Sequence, residues 1–359
     1  MNLQKLEKKF MTTHSIRAAA LSTGNDFHLL DHIAPLADLL QIPLITTEEK
    51  NFKLAQNYYP HVQVEYDTDL EFKLASLAER FEALFECKYW IPQLKTLFRG
   101  IHNKEMQLIF CPHGQSDKGR GAPLLAPYAE QDAVLIYGDL LIEMLKELDV
   151  WPAISKYAMI GNYRLFHYLH YKQFYDALAE KEFFSRLPKQ RTLLYAPTWQ
   201  DADQSTSFFQ GIPKLFSELP SDWNLIVKAH PRLEEKDPAR FYFLSQLAVK
   251  RKNSLIITEF PPVYPLLAKA DVFLGDFSSV GYDFLFFQRP MFFFSHPSVP
   301  SGRLQTCGQI LPPDVSIFPF IEQNIHSDFT KKQKELYELA FGKDLSQEIV
   351  RESILKLLQ

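Results

Sequence analysis

The chain has 359 residues, 46% of them hydrophobic and 23% charged, with a formal net charge of −4. These proportions fit a globular protein with enough apolar residues for two cores, and exclude wholesale disorder, collagen-like repeats and coiled coils. The mildly acidic balance carries no global footprint for nucleic acid, so no nucleic-acid partner is expected.

Three cysteines occur, Cys87, Cys111 and Cys307, with no CxxC spacing. An odd, scattered set argues against a disulfide framework or structural zinc and fits a reducing compartment. Met1 to Thr13 is charged and lacks the apolar stretch of a secretory signal. No run of about 18 apolar residues suggests a membrane span. The richest run, Phe284 to Phe294, is broken by Gln288, Arg289 and Pro290. The expected location is cytoplasmic, with peripheral contact at the inner face of a membrane left open.

In chain order, Ala18 to Leu21 reads as a strand, followed by a loop at Ser22 to Phe27 and a helix around Leu29 to Leu40. Strands are expected at Pro43 to Thr46 and Val62 to Tyr66. Lys73 to Phe85 repeats apolar residues at helical spacing (Leu74, Leu77, Ala78, Phe81, Leu84, Phe85). Gln107 to Cys111 reads as a strand, as do Ala133 to Tyr137 and Lys156 to Ile160, with a helix at Asp139 to Leu148 between the last two. Tyr163 to Arg191 reads as helical and polar. A second alternating series follows: strands at Thr192 to Ala196, Leu225 to Ala229, Leu255 to Thr258, Val272 to Leu274 and Met291 to Phe294. Helices are expected after Pro261-Pro262 and over Ser279 to Phe287. Two amphipathic helices, Thr330 to Phe341 and Ser346 to Leu358, close the chain. This alternation predicts two doubly wound α/β domains. The expected division is an N-terminal domain over 1–165, a linker over 166–191, a C-terminal domain over 192–325, and terminal helices over 326–359 that pack back across the domains.

Ligands of open α/β sheets bind beyond the carboxyl ends of the strands. Four loops there hold reactive residue types. Cys111-Pro112-His113-Gly114-Gln115-Ser116-Asp117-Lys118 offers an imidazole as a base near neutral pH and a lysine for a phosphate. Tyr195-Ala196-Pro197-Thr198-Trp199-Gln200-Asp201 offers Thr198 as a cap or phosphate contact and Trp199 as core or site wall. Lys228-Ala229-His230-Pro231 holds an imidazole at a strand end, where the proline disfavours helix. Gly275-Asp276-Phe277-Ser278-Ser279 leads into a helix whose first N–H groups suit a phosphate, with Asp283 in reach of a ribose. Each loop taken singly is equally consistent with ordinary capping and packing. Asp201 and Asp203 fit a DxD metal pair only superficially, and His167 with His170 fit packing or surface roles better than a metal site. No metal and no cofactor is expected. The absence of G-x-G-x-x-G, Walker A and G-x-S-x-G patterns disfavours a dinucleotide oxidoreductase, a P-loop NTPase and an α/β-hydrolase.

In this order and spacing the four loops resemble the CDP-glycerol glycerophosphotransferases of teichoic acid and capsule synthesis. The matching residues are His113-Gly114, Tyr195 to Asp201, His230-Pro231, and Asp276 to Ser279 with Asp283 and Arg289-Pro290. Gln115-Ser116 stands where the family has Thr-Pro, and Gln200 where it usually has Arg. The resemblance implies a GT-B fold, two Rossmann-like domains facing across a cleft. It implies a CDP-alcohol donor, CDP-glycerol or CDP-ribitol, and a glycan, polymer or lipid-linked acceptor. It also implies His113 and His230 as catalytic residues. Lys118, Thr198, Asp276, Ser278, Ser279 and Asp283 would hold the donor, with Gly114, Trp199, Asp201 and Lys228 in support. A GT-B glycosyltransferase using a nucleotide sugar is the alternative. A sugar-nucleotide 2-epimerase or a non-catalytic nucleotide-binding protein would also fit this architecture.

Overall fold

The computed structural model describes residues 16–70, 73–116, 122–201, 205–296, 299–343 and 345–359. Lys118 and Asp203 lie outside the described residues. Two all-parallel sheets form the framework. The first contains β1 (Ala18–Ser22), β2 (Leu44–Thr46), β3 (Val64–Tyr66), β4 (Ala83–Glu86), β5 (Gln107–Phe110), β6 (Ala133–Ile136) and β7 (Tyr157–Met159). Its order is β3-β2-β1-β4-β5-β6-β7. The second contains β8 (Arg191–Ala196), β9 (Trp223–Lys228), β10 (Ser254–Ile257), β11 (Val272–Gly275), β12 (Met291–Phe294) and β13 (Gln309–Leu311), in the order β10-β9-β8-β11-β12-β13.

The central strands are short, nearly continuous apolar runs such as AAALS, ALFE, RTLLYA and VFLG, and all four are buried apart from Arg191 at the start of β8. Strands covered by helices on both faces need no polar alternation. In each sheet the strand order reverses once, between β1 and β4 and between β8 and β11. The loops leaving the strand ends at such a reversal diverge and open a crevice. All four loops singled out from the sequence leave the carboxyl ends of β5, β8, β9 and β11.

Several elements differ from the sequence reading. Lys73 to Phe85 is not one helix: the helix spans Leu74–Arg80 and β4 follows at once. Helices also form over Glu49–Tyr58 and Pro92–His102, and the last strand β13 pairs with β12. The 163–191 stretch forms two helices, Tyr163–His170 and Lys172–Glu182. Despite its polar composition, the first of these buries Tyr163, Arg164, Leu165, His167 and Tyr168. His167 bonds Asp38 at 3.0 Å and the Tyr175 hydroxyl at 2.8 Å, so it is a packed, satisfied histidine. The three cysteines are buried.

The chain crosses from the first sheet to the second through these two helices and returns at its end. The Thr330–Phe341 helix touches the Asp139–Glu147 helix of the first sheet and the Leu285–Phe287 and Leu304–Cys307 turns of the second. The Gln347–Leu357 helix then packs on β7. Gly138 lets this closing segment approach: a Cβ there would lie 2.5 Å from the Ala340 carbonyl oxygen. Ion pairs Lys50–Glu259 (2.6 Å) and Arg303–Glu143 (2.7 Å) also join the two halves. Among the described residues no helix is long and apolar enough to cross a membrane.

Candidate active site

His113 stands just past β5 on the wall of the crevice. Its Nδ1 lies 3.0 Å from the Cys87 carbonyl oxygen at the end of β4. A carbonyl can only accept, so Nδ1 carries the proton and Nε2 holds the lone pair. Crowding by the surrounding protein pushes the His113 pKa below the usual imidazole range. The Cys87 carbonyl opposes that shift, and the charge of Arg232 adds to it. The ring is therefore neutral at pH 7, with a free acceptor nitrogen.

The backbone around His113 is fixed by Tyr137. Its hydroxyl donates to the Pro112 carbonyl at 2.9 Å, accepts from the Gly114 N–H at 3.1 Å, and lies 3.0 Å from His32 Nδ1. Gly114 has φ +114°, in the region that favours glycine. A Cβ there would sit 2.7 Å from Ser279 Oγ, across the crevice. Ser116 Oγ also reaches the Phe277 carbonyl at 3.5 Å. The His-Gly loop and the 276–279 turn are thus in direct contact.

On the second side, His230 caps the Pro231–Lys236 helix, its Nδ1 accepting from the Arg232 N–H at 3.2 Å. The neutral ring must then carry its proton on Nε2, the reverse of His113. One imidazole is a proton acceptor at Nε2 and the other a donor. His28, from the turn after β1, packs on His230 with ring centroids 4.8 Å apart. Burial, with the charges of Arg232 and Lys228 helping, pushes His28 down to about 3, so it stays neutral. The Arg232 guanidinium lies over Trp199 at 5.0 Å and 3.8 Å from Asp26. Asp26 also pairs with Lys88 at 3.1 Å. Burial works to raise Asp26, but Lys88, His28 and Arg232 outweigh it and hold the carboxyl below its ordinary value. Lys228 ends β9 with its pKa pushed down to about 8 by burial, which the charge of Asp31 only partly offsets.

Other expected site residues are placed differently. Asp276 is 2% exposed and ties both ends of the segment between β8 and the Phe208–Glu218 helix: Oδ1 accepts the Thr198 N–H at 2.8 Å, and Oδ2 accepts the Ser207 N–H and hydroxyl at 2.9 and 2.8 Å. Thr198 is buried, its carbonyl accepting from Thr206 Oγ1. Asp201 accepts from the Ser205 N–H and hydroxyl at 2.9 and 2.7 Å. Ser278 Oγ lies 3.4 Å from the Val280 N–H, and Ser279 precedes the helix Val280–Phe284. Asp283 does not face the crevice. It is 2% exposed, with both oxygens taken by Arg164 and Oδ1 also by the Tyr264 hydroxyl. The ribose contact expected of it gives way to a buried ion pair, because its partner arrives from a helix 119 residues away. The sequence reading did not single out Asp26, His28, His32, Lys88, Tyr137, Arg164 or Arg232. The one available signal was His28 and His32 four residues apart, just after a strand end.

Residues 172–297 match the model of the CDP-glycerol:poly(glycerophosphate) glycerophosphotransferase family. The glycerophosphotransferase match spans roughly a third of the chain and includes Trp199, Lys228, His230 and Asp276 to Asp283; His113 lies before it. No curated protein matches the sequence. Among solved structures, the wall teichoic acid polymerase TagF is similar with TM-score 0.66 and 14% identity, over 95% of this chain and 88% of that one. A TagF variant soaked with CDPG gives TM-score 0.62 and 12% identity, over 99% and 91%. HepE of Anabaena, in complex with UDP-glucose, gives TM-score 0.55 and 10% identity, over 95% and 98%. At such identities these likenesses concern the fold, which is GT-B: two Rossmann-like domains across a cleft.

Proposed function

We propose that this protein transfers a polyol phosphate from a CDP-alcohol, CDP-glycerol or CDP-ribitol, to an acceptor hydroxyl on a cell-surface glycan or polymer, releasing CMP. The observation that carries this reading is the pair of opposed imidazoles, His113 with a bare Nε2 and His230 with an Nε2–H, on the two sides of one crevice. The family match over 172–297 and the CDPG-soaked TagF structure support the donor class.

The chemistry follows from the groups. The acceptor oxygen attacks the polyol-bearing phosphorus while His113 Nε2 takes its proton. The bond from that phosphorus to the bridging oxygen breaks, and CMP leaves with the electron pair. Phosphoryl transfer needs mainly positioning and charge stabilisation. His230 Nε2–H, Arg232, Lys228 and the N–H groups after Ser279 supply donors and positive charge for the departing phosphate. Trp199 walls the donor side. Asp276 acts by holding Thr198 and Ser207, the two ends of one connection, in place.

The test pairs calorimetry on CDP-glycerol, CDP-ribitol, CMP and UDP-glucose with chromatography of the products. The expected result is binding of a CDP-alcohol, and CMP formed together with a new phosphodiester. A preference for UDP-glucose with a new glycosidic bond would instead establish a GT-B glycosyltransferase.

Lys228 gives a second, sharper expectation. With its pKa pushed down to about 8, Lys228 is partly neutral at pH 8, and an adjacent diphosphate favours its charged form. Donor binding at pH 8 should therefore take up a fraction of a proton, and less at pH 6.5, where Lys228 is already charged. Calorimetry in buffers of different ionisation enthalpy reads this uptake. Lys228→Met should remove the uptake and weaken binding about tenfold. An undiminished uptake in that variant would place the titrating group elsewhere.

A further inference from the structure

Arg164 is 4% exposed and is gripped from both sides of the cleft. Nε donates to the Asp31 carbonyl oxygen at 3.1 Å and Nη2 to the Asp31 carboxylate. Nη1 donates to Asp283 Oδ1 and Oδ2 at 3.3 and 3.1 Å. Tyr59 donates to Asp31 at 3.1 Å, and the Tyr264 hydroxyl lies 2.7 Å from Asp283. One guanidinium thus faces two buried carboxylates. Burial raises both acids against the pull of Arg164, and the charge of Asp31 raises Asp283 further. A buried ion cluster of this kind is a poor source of stability, because desolvation of its charges offsets their attraction. Its value has to lie in geometry.

The geometry is specific. Asp31 lies three residues past His28 and directly before His32, in the helix Leu30–Leu40. Asp283 lies one turn past Ser279. Arg164 belongs to neither group. It sits on the first crossing helix, Tyr163–His170, where its neighbour Tyr163 donates to the His32 carbonyl at 2.9 Å. We infer that Arg164 is a positioning residue: its planar fork sets the register of the histidine-bearing wall against the 276–279 turn. Its effect on turnover rests on the reaction proposed above; its effect on domain register does not. Lysine cannot replace it, since a single ammonium does not present two parallel donor edges to two carboxylates.

The test measures register and turnover separately. Spin labels at Gln93→Cys and Lys250→Cys, both exposed and on opposite domains, report the interdomain distance by pulsed electron resonance. The parent protein should give one narrow distribution. Arg164→Lys should broaden it and lower kcat roughly 100-fold, with the donor KM within about threefold, as expected when reacting groups are misplaced by an ångström or so. The neutral triple variant Asp31→Asn, Arg164→Met, Asp283→Asn removes the buried charges. It should fold with a Tm near the parent's and show the same broadening and the same kcat loss, which lost stability alone would not produce. A folded variant of either kind with a narrow distribution and parental turnover overturns the assignment. Broadening in the variants while the parent releases no CMP from either CDP-glycerol or CDP-ribitol would remove the proposed reaction and leave the positioning role standing.

Discussion

Replacing His113 with alanine should lower CMP release by about 10³-fold or more while CDP-glycerol affinity changes less than about twofold. General-base catalysis contributes roughly 10²–10⁴ in rate, and nothing in the geometry makes His113 a ligand of the donor. Its Nδ1 is committed to the Cys87 carbonyl, so only Nε2 is available to serve the acceptor in the proposed reaction. The sign of the pH dependence follows. The base works when neutral, so activity is present above its pKa and is lost as pH falls through it. Because that pKa is held below the ordinary 6.5, the acid limb of kcat/KM should fall below pH 6.5. Stopped-time assays across pH, with calorimetry on the variant, check both statements. A His113→Ala protein that turns over normally, or that no longer binds donor, would move the base elsewhere or recast His113 as a phosphate ligand.

Asp276→Ala should be the most destabilising single change at the site. The carboxylate accepts three hydrogen bonds in a buried place, two from backbone N–H groups at either end of the segment that joins β8 to the Phe208–Glu218 helix and one from a hydroxyl. Charge-assisted bonds of this kind are worth about 1.5–3 kcal/mol each, and their removal strands the donors without water. A loss of roughly 4 kcal/mol is expected, a fall in Tm on the order of 10 °C. Asp276→Asn should lose less stability, because the amide oxygen still accepts on one side. Donor affinity should drop in both variants, since Trp199 rides on the loop that Asp276 holds at Thr198. Thermal melts with calorimetric titration separate the two effects. Unchanged donor affinity in a folded Asp276→Asn protein would show that this loop does not touch the donor.

Much of this arrangement is legible in the sequence because it depends on strand ends. His113 and His230 each follow an apolar run and sit beside proline, so their placement at the crevice needs only local reading. The motif residues of the family match lie on such loops for the same reason. What escaped reading depends on distant partners. Asp283 looks like a ligand of a ribose until Arg164 reaches it, and Arg164 looks like a surface residue of a polar helix until two acids enclose it. Asp26, His28 and Arg232 belong to no local pattern; only the approach of two domains makes them a cluster. The fold shows the same limit. Leu84 and Phe85 continue the helical spacing of Leu74 to Phe81, and no glycine or proline separates the helix from β4, so periodicity alone merges them. The Glu49–Tyr58 helix buries little beyond Asn51 and Ala55 and leaves almost no apolar signal.

The two chain crossings have a mechanical consequence. A body tethered at one point can swing about three axes; tethered at two, it turns about the single line that joins them. The domains here are tied once through the Tyr163–His170 and Lys172–Glu182 helices and again through the Thr330–Phe341 helix. Any widening of the crevice is therefore confined to one rotational degree of freedom. Along that one arc the His-Gly loop and the 276–279 turn would part and meet again in the same mutual alignment.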